Sequence, residues 1–214
     1  MSVKAKICGL TSAAAVAEAV TGGAAYVGFV FYPPSPRSLA AAAAGALCAA
    51  VPEGVRRVGL FVDAEDAAIA AVLEEAALDL LQFHGQEPPE RVAAARDRFG
   101  RPVIKAVAIA GPEDLAVAER YEGVADLLLF DAKPPRRAGA LPGGNGLAFD
   151  WQLIKGRAWG CPWMLSGGLT AELLPQAVRL SGAAIVDVSS GVESAPGRKD
   201  LAKIRAFLAA ARAL

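Results

Sequence analysis

Eight short apolar runs recur along the chain with helix-patterned stretches between them, and that alternation constrains the fold more than any other feature. The runs cover residues 5–8, 26–31, 58–62, 78–83, 103–107, 127–130, 163–165 and 184–188. Most are continuous rather than alternating, which is how strands read when both faces are buried in a parallel sheet. Helical patterns fill 12–21, 39–51, 64–77, 88–99, 112–121, 171–180 and 200–213, and a short turn at 149–155 stands in for the sixth helix. Asp63 marks the start of the third helix and Gly111-Pro112-Glu113 the start of the fifth. Strict strand–helix alternation requires a parallel sheet with right-handed crossovers. Eight units of roughly 25 residues predict a single-domain (β/α)8 TIM barrel, here spanning residues 1–214. A doubly wound open sheet is the alternative. The number of units, and the lack of Gly-x-Gly-x-x-Gly after the first run, favour the barrel.

Charge narrows the partners. Lys and Arg number 22, Asp and Glu 22, so the formal charge is zero. DNA, RNA or an anionic membrane would call for a basic surplus. Hydrophobic residues make up 54% and charged residues 21%, which excludes a disordered chain. The longest apolar run, 39–51, is alanine-rich and broken by Gly45, well short of the ~20 residues of a membrane span. Near the N-terminus, Lys4 and Lys6 precede the alanine-rich residues 13–17 in the manner of a signal peptide. Glu18 ends that stretch, and no strongly apolar segment precedes it, so such a peptide is not expected. Cys8, Cys48 and Cys161 lack Cys-x-x-Cys spacing and leave an odd thiol, which points to a reducing cytoplasm. The expected partner is a small molecule, with monomer and homodimer both open.

In a barrel of this kind the active site forms at the carboxyl ends of the strands, so the residues after each run are the candidates. Gly167, Gly168, Ser190 and Gly191 follow the seventh and eighth runs, where barrel phosphate sites commonly form. Glycine lets backbone N–H groups approach an anion closely, and the same glycines also serve plain strand-to-helix turns. Asp131 ends a deeply apolar run, a costly place for a carboxylate unless it faces a polar cavity or caps a helix. Arg37 follows the rigid Pro33-Pro34-Ser35-Pro36 and suits a carboxylate ligand; a surface arginine is the plainer reading. Cys8 is either a small buried hydrophobe or a reactive thiol. Asp187, between Val186 and Val188, is a barrel-interior carboxylate, structural or bound to substrate hydroxyls. His84 is the sole histidine, so multi-His zinc or iron sites and paired-His metal sites are not expected. No Gly-x-Ser-x-Gly elbow supports a serine triad, and His84 reads most simply as a hydrogen-bonded pocket wall. Residues 133–146, rich in Pro, Arg and Gly, form a long connection of the kind that is usually functional.

Read in order, these residues resemble the motifs of the phosphoribosylanthranilate isomerase family. Lys6-Ile7-Cys8-Gly9-Leu10-Thr11 resembles its opening motif, and Gly28-Phe29-Val30-Phe31 with Ser35-Pro36-Arg37 its second. Gly59-Leu60-Phe61-Val62-Asp63 and Leu81-Gln82-Phe83-His84-Gly85 resemble the third and fourth strand ends. Phe130-Asp131, Gly143-Gly144-Asn145-Gly146 and Phe149-Asp150-Trp151 resemble the sixth segment. Leu165-Ser166-Gly167-Gly168-Leu169, the segment from Val186 to Glu193, and Pro196-Gly197-Arg198-Lys199-Asp200 complete the series. The resemblance implies a cofactor-free Amadori rearrangement of N-(5-phosphoribosyl)anthranilate. It implies Cys8 as general base, Asp131 as general acid and Arg37 as partner of the anthranilate carboxylate. The phosphate would fall to Gly167, Gly168, Ser190 and Gly191, with His84 and Asp187 among the substrate contacts. Helix N-termini near the strand end would favour the Cys8 thiolate, and Arg37 would stand across the mouth from the phosphate turns. Two residues depart from the pattern: Ala132, where Ser or Thr is frequent, and Asn145, where Thr is usual. A related sugar-phosphate isomerase that also serves histidine biosynthesis would need an Asp where Cys8 stands. A silent phosphate-binding barrel would keep the glycines without needing Cys8 or Asp131.

Overall fold

Successive residues of a strand point to opposite faces, and in this chain both faces of every barrel strand are covered. The computed structural model describes residues 2–135 and 141–214. The chain runs β1 (Lys4–Cys8), α1 (Ala13–Thr21), β2 (Tyr26–Phe31), α2 (Ala41–Ala49), β3 (Arg56–Phe61), α3 (Asp66–Glu75), β4 (Leu80–Phe83) and α4 (Pro89–Phe99). It continues β5 (Val103–Ile109), α5 (Glu113–Glu119), β6 (Leu127–Ala132), a 3-10 turn (Trp151–Ile154), β7 (Trp163–Leu165), α6 (Leu174–Ser181) and β8 (Ile185–Val188). A second 3-10 turn (Ser190–Val192), a hairpin of β9 (Glu193–Ala195) and β10 (Arg198–Lys199), and α7 (Leu201–Arg212) end it. Strands β1 to β8 form a closed parallel barrel in sequence order, and β1 pairs with β8 through Lys6 opposite Asp187.

Two apolar layers account for the continuous runs. Outward residues such as Ile7, Val27, Phe29, Leu81, Leu128 and Val186 pack in the main core with residues of the surrounding helices. Inward residues Val58, Leu80, Ile104, Ala106, Leu129 and Met164 make a separate cluster in the barrel interior. Helix ends are fixed locally. Ser12 accepts from the Ala15 N–H at the start of α1, and Asp200 accepts from Ala202 and Lys203 at the start of α7. Gly100 closes α4 in the left-handed conformation.

Several boundaries differ from the sequence expectation. Strand β4 starts at Leu80, because Asp79 is held at its foot by a two-pronged pair with Arg57, at 2.8 Å to each oxygen. Helix α2 begins only at Ala41, since Ser38 bridges to Val30 of β2 first. Helix α6 begins at Leu174, after a turn in which Thr170 Oγ1 accepts from Leu173. Asp63 does not cap α3. Its φ is +48°, the only positive value on a described non-glycine residue, and its carboxylate accepts from Gln86 N–H at 2.6 Å. Asp63 thus braces the loop after β4. The β9–β10 hairpin turns at Pro196-Gly197, a signal that the alternation of strands and helices conceals.

Candidate active site

All nine strand-end candidates line one cleft. Cys8, Arg37, His84, Asp131, Gly167, Gly168, Asp187, Ser190 and Gly191 surround about 770 Å³ of open space at the carboxyl ends of the barrel strands. Residues 141–147 of the long sixth connection also line it; residues 136–140 of that connection lie outside the described part.

Cys8 sits at the end of β1 against Gly28 of β2. A β-carbon on Gly28 would lie 2.9 Å from the Cys8 sulfur, so glycine there makes room for the thiol. Burial pushes the Cys8 thiol above its ordinary range, Asp187 adds to that, and the Lys6 and Lys199 charges work against it. The expected favouring of the thiolate is thus reversed in the free protein. The thiol is enclosed, and desolvation outweighs the two cations.

Lys6, two residues back on the same inward face, is fully buried. Its Nζ donates to Asp187 Oδ1 at 2.9 Å, and Ser166 Oγ donates to Asp187 Oδ2 at 3.2 Å. Burial opposes the Lys6 ammonium, but the Asp187 charge and hydrogen bond more than offset it, so its pKa ends raised. Asp187 therefore has a structural ion pair and still faces the cleft. Lys6, Lys199 and Ser166 were missed as site residues. The lysines' signal was a cation inside an apolar run and one after the hairpin turn.

Asp131 ends β6. Its Oδ1 accepts the N–H of Ala132 at 2.9 Å, and its Oδ2 lies 3.3 Å from His84 Nε2. The Ala132 departure leaves this backbone contact intact. His84 Nδ1 lies 3.0 Å from Gln82 Nε2 on β4. The histidine is thus a cleft wall, as read, but one joined to a carboxylate.

Arg37 is placed differently from the expectation. It does not stand across the mouth from the turns after β7 and β8. It passes over Gly9, where a β-carbon would lie 2.6 Å from Arg37 Cδ, and reaches Glu193 just beyond the second 3-10 turn. Nε and Nη2 donate to the two Glu193 oxygens at 2.7 and 2.9 Å. Lys199 Nζ donates to the same carboxylate at 2.9 Å. Burial works against ionised Glu193, but Arg37 and Lys199 hold its pKa below the usual carboxylate range. This two-pronged grip fixes the guanidinium plane at the cleft wall. Glu193 enters the sequence reading only as the end of the segment from Val186, and its pairing was hidden because its partner is 156 residues away.

The glycine turns are required by packing. Gly167 and Gly168 both have positive φ. A β-carbon on Gly168 would lie 2.9 Å from the backbone at Leu147 and Ala148, and one on Gly191 would overlap the Leu169 carbonyl. Asn145 donates from Nδ2 to the Leu141 carbonyl at 2.8 Å, fastening the described end of the sixth connection across itself.

Residues 5–210 match the family described as N-(5'phosphoribosyl)anthranilate (PRA) isomerase. The N-(5'-phosphoribosyl)anthranilate isomerase of Cereibacter sphaeroides is 58% identical over 210 residues, covering 98% of this chain and 99% of that one. The enzyme of that name from Paramagnetospirillum magneticum is 56% identical over 212 residues, with 99% and 98% covered. Among solved structures, phosphoribosyl anthranilate isomerase from Thermotoga maritima superposes with a TM-score of 0.89 at 38% identity, covering 99% of this chain and 100% of that one. A phosphoribosyl anthranilate isomerase in complex with reduced 1-(o-carboxyphenylamino)-1-deoxyribulose 5-phosphate superposes at 0.85 with 35% identity and the same coverage. With the barrel, the cleft and the motifs in register over nearly its whole length, the chain belongs to the N-(5'-phosphoribosyl)anthranilate isomerase family.

Proposed function

We propose that this chain isomerises N-(5-phosphoribosyl)anthranilate to 1-(o-carboxyphenylamino)-1-deoxyribulose 5-phosphate in tryptophan biosynthesis, with Asp131 as general acid and Cys8 as general base. The observation that carries the assignment is the order of groups around the barrel. The acid is on β6, the glycine turns follow β7 and β8, and the base is on β1, all on one cleft. A phosphate seated on the backbone of Gly167, Gly168, Ser190 and Gly191 would place the ribose between acid and base.

Asp131 gives its proton to the ribose ring oxygen. The C1–O bond breaks as the anilino nitrogen forms a Schiff base to C1. Cys8 as thiolate takes the C2 proton, and the resulting enolamine tautomerises to the ketone. The sequence of steps transfers protons only, so it calls for no metal or redox cofactor. Arg37, oriented by Glu193, meets the anthranilate carboxylate, and Asp187 and His84 line the pocket beside the sugar. Three free thiols support a cytoplasmic enzyme, and no described helix is long and apolar enough to cross a membrane. A relative from Thermotoga maritima, solved as monomers generated from a dimeric enzyme, is compatible with either a monomer or a homodimer.

The test is kinetic. Cys8→Ser and Asp131→Asn should each lower kcat by roughly 10²–10⁴ with little change in KM. Loss of the anthranilate-type fluorescence of the substrate gives the rate. Near-normal kcat in either variant would remove that residue from its role.

A further inference from the structure

Beside Asp131 stand two groups that neither give nor take a proton in the steps above. Gln82 and His84 are two residues apart at the end of β4, so their side chains share the inward face. Gln82 is fully buried, with Nε2 3.0 Å from His84 Nδ1, and His84 Nε2 is 3.3 Å from Asp131 Oδ2. The far end of the amide, Gln82 Oε1, is buried and has no hydrogen-bond partner among the described residues. That end leaves the amide untethered. A half-turn presents Oε1 to the imidazole in place of Nε2 and breaks no second bond.

The two orientations suit two states of the acid. With Nε2 of Gln82 donating to Nδ1, the ring hydrogen is on Nε2 and faces the Asp131 carboxylate 3.3 Å away. With Oε1 accepting from an Nδ1–H, the bare Nε2 accepts an O–H from protonated Asp131. In both states His84 is neutral. The states differ by one proton on Asp131, taken up from the cleft that Asp131 and His84 both line, and by the place of the ring hydrogen, which exchanges from Nε2 to Nδ1. We propose that Gln82 and His84 are positioning residues that hold Asp131 in both its ionised and its protonated form through each turnover, the Gln82 amide turning as the ring changes tautomer. The proposal rests on Asp131 being the acid.

His84 is the only histidine, so a protein labelled with ¹⁵N-histidine yields one imidazole to observe, and its nitrogen shifts identify the tautomer. In Asp131→Asn the amide oxygen keeps the Ala132 N–H, so the NH2 faces His84 and Nδ1–H is expected. Wild-type protein in alkaline buffer, with Asp131 ionised, should show Nε2–H. The same tautomer in both would overturn the proposal, and this comparison leaves the barrel core untouched. Gln82→Met should lower kcat about tenfold, the scale of one net hydrogen bond, with KM unchanged. A raised KM at unchanged kcat would make Gln82 a packing residue and overturn the proposal. Failure of the acid assignment looks different: Asp131→Asn would then retain kcat whatever the tautomer.

Discussion

The thiol proposed as the base is set here among opposing influences. Burial and Asp187 raise the Cys8 pKa, and Lys6 and Lys199 lower it, with burial first. A raised thiol pKa means that the thiolate is scarce at neutral pH and grows as pH rises through the shifted value. Alkylation of Cys8 by iodoacetamide in the substrate-free protein should therefore keep climbing at a pH where an ordinary thiol has levelled off. Peptide mass spectrometry separates Cys8 from Cys48 and Cys161. Cys48 is a useful internal reference, since burial pushes it to about 11. A Cys8 plateau below the ordinary thiol range would show that the two lysines outweigh burial. Arg37 shows the same balance in another form. Burying a guanidinium is tolerated because Glu193 engages two of its nitrogens, and the carboxylate is in turn shared with Lys199.

The sixth connection is the element that joins Asp131, His84 and Arg37. A β-carbon on Gly143 would lie 2.6 Å from His84 Nε2 and 2.9 Å from Asp131 Oδ2. Gly143 does not have positive φ, so alanine suits its backbone but not its space. Gly143→Ala should lift the segment off the pair and lower kcat by roughly 10–100-fold, the scale of an ångström misplacement at a reacting group. The melting temperature should barely move, since the strain is relieved at the cleft mouth. Steady-state kinetics with a thermal melt checks both, and an unchanged kcat would show that the methyl is accommodated. Legibility in the sequence follows the same lines. The barrel elements were legible because apolar runs and helical patterns alternate without interruption. The strand-end residues were legible because the fold dictates where chemistry gathers. What stayed hidden is pairing between distant residues, as in Arg37 with Glu193 and Lys6 with Asp187. A continuous apolar run also hides which face is inward. Polar residues at alternate positions carry that signal: Lys6 and Cys8, Gln82 and His84, Ser166, and Asp187 with Ser189 all share the parity of the inner face.

At the scale of the whole barrel, that inner face changes character along its axis. Its apolar cluster gives way to polar groups toward the cleft, and the seam where β1 meets β8 crosses this change. Lys6 and Asp187 are register partners at the seam, and both are buried. Removing one partner of such a pair leaves an uncompensated charge in a low-dielectric interior, at a cost of about 3–5 kcal/mol, whereas replacing both with apolar groups is often close to neutral. Lys6→Met should therefore shift the urea unfolding midpoint strongly downward, because Asp187 is stranded. Lys6→Met/Asp187→Leu should recover most of that loss, short of the Ser166 hydroxyl that loses its acceptor. Activity should not return with stability in the double variant, since the field beside Cys8 and the polar wall of the cleft are both gone. If the double variant proved no more stable than Lys6→Met, the seam would depend on the lysine stem's packing and not on the charge pair. If it regained full activity, Lys6 and Asp187 would be serving closure of the barrel alone.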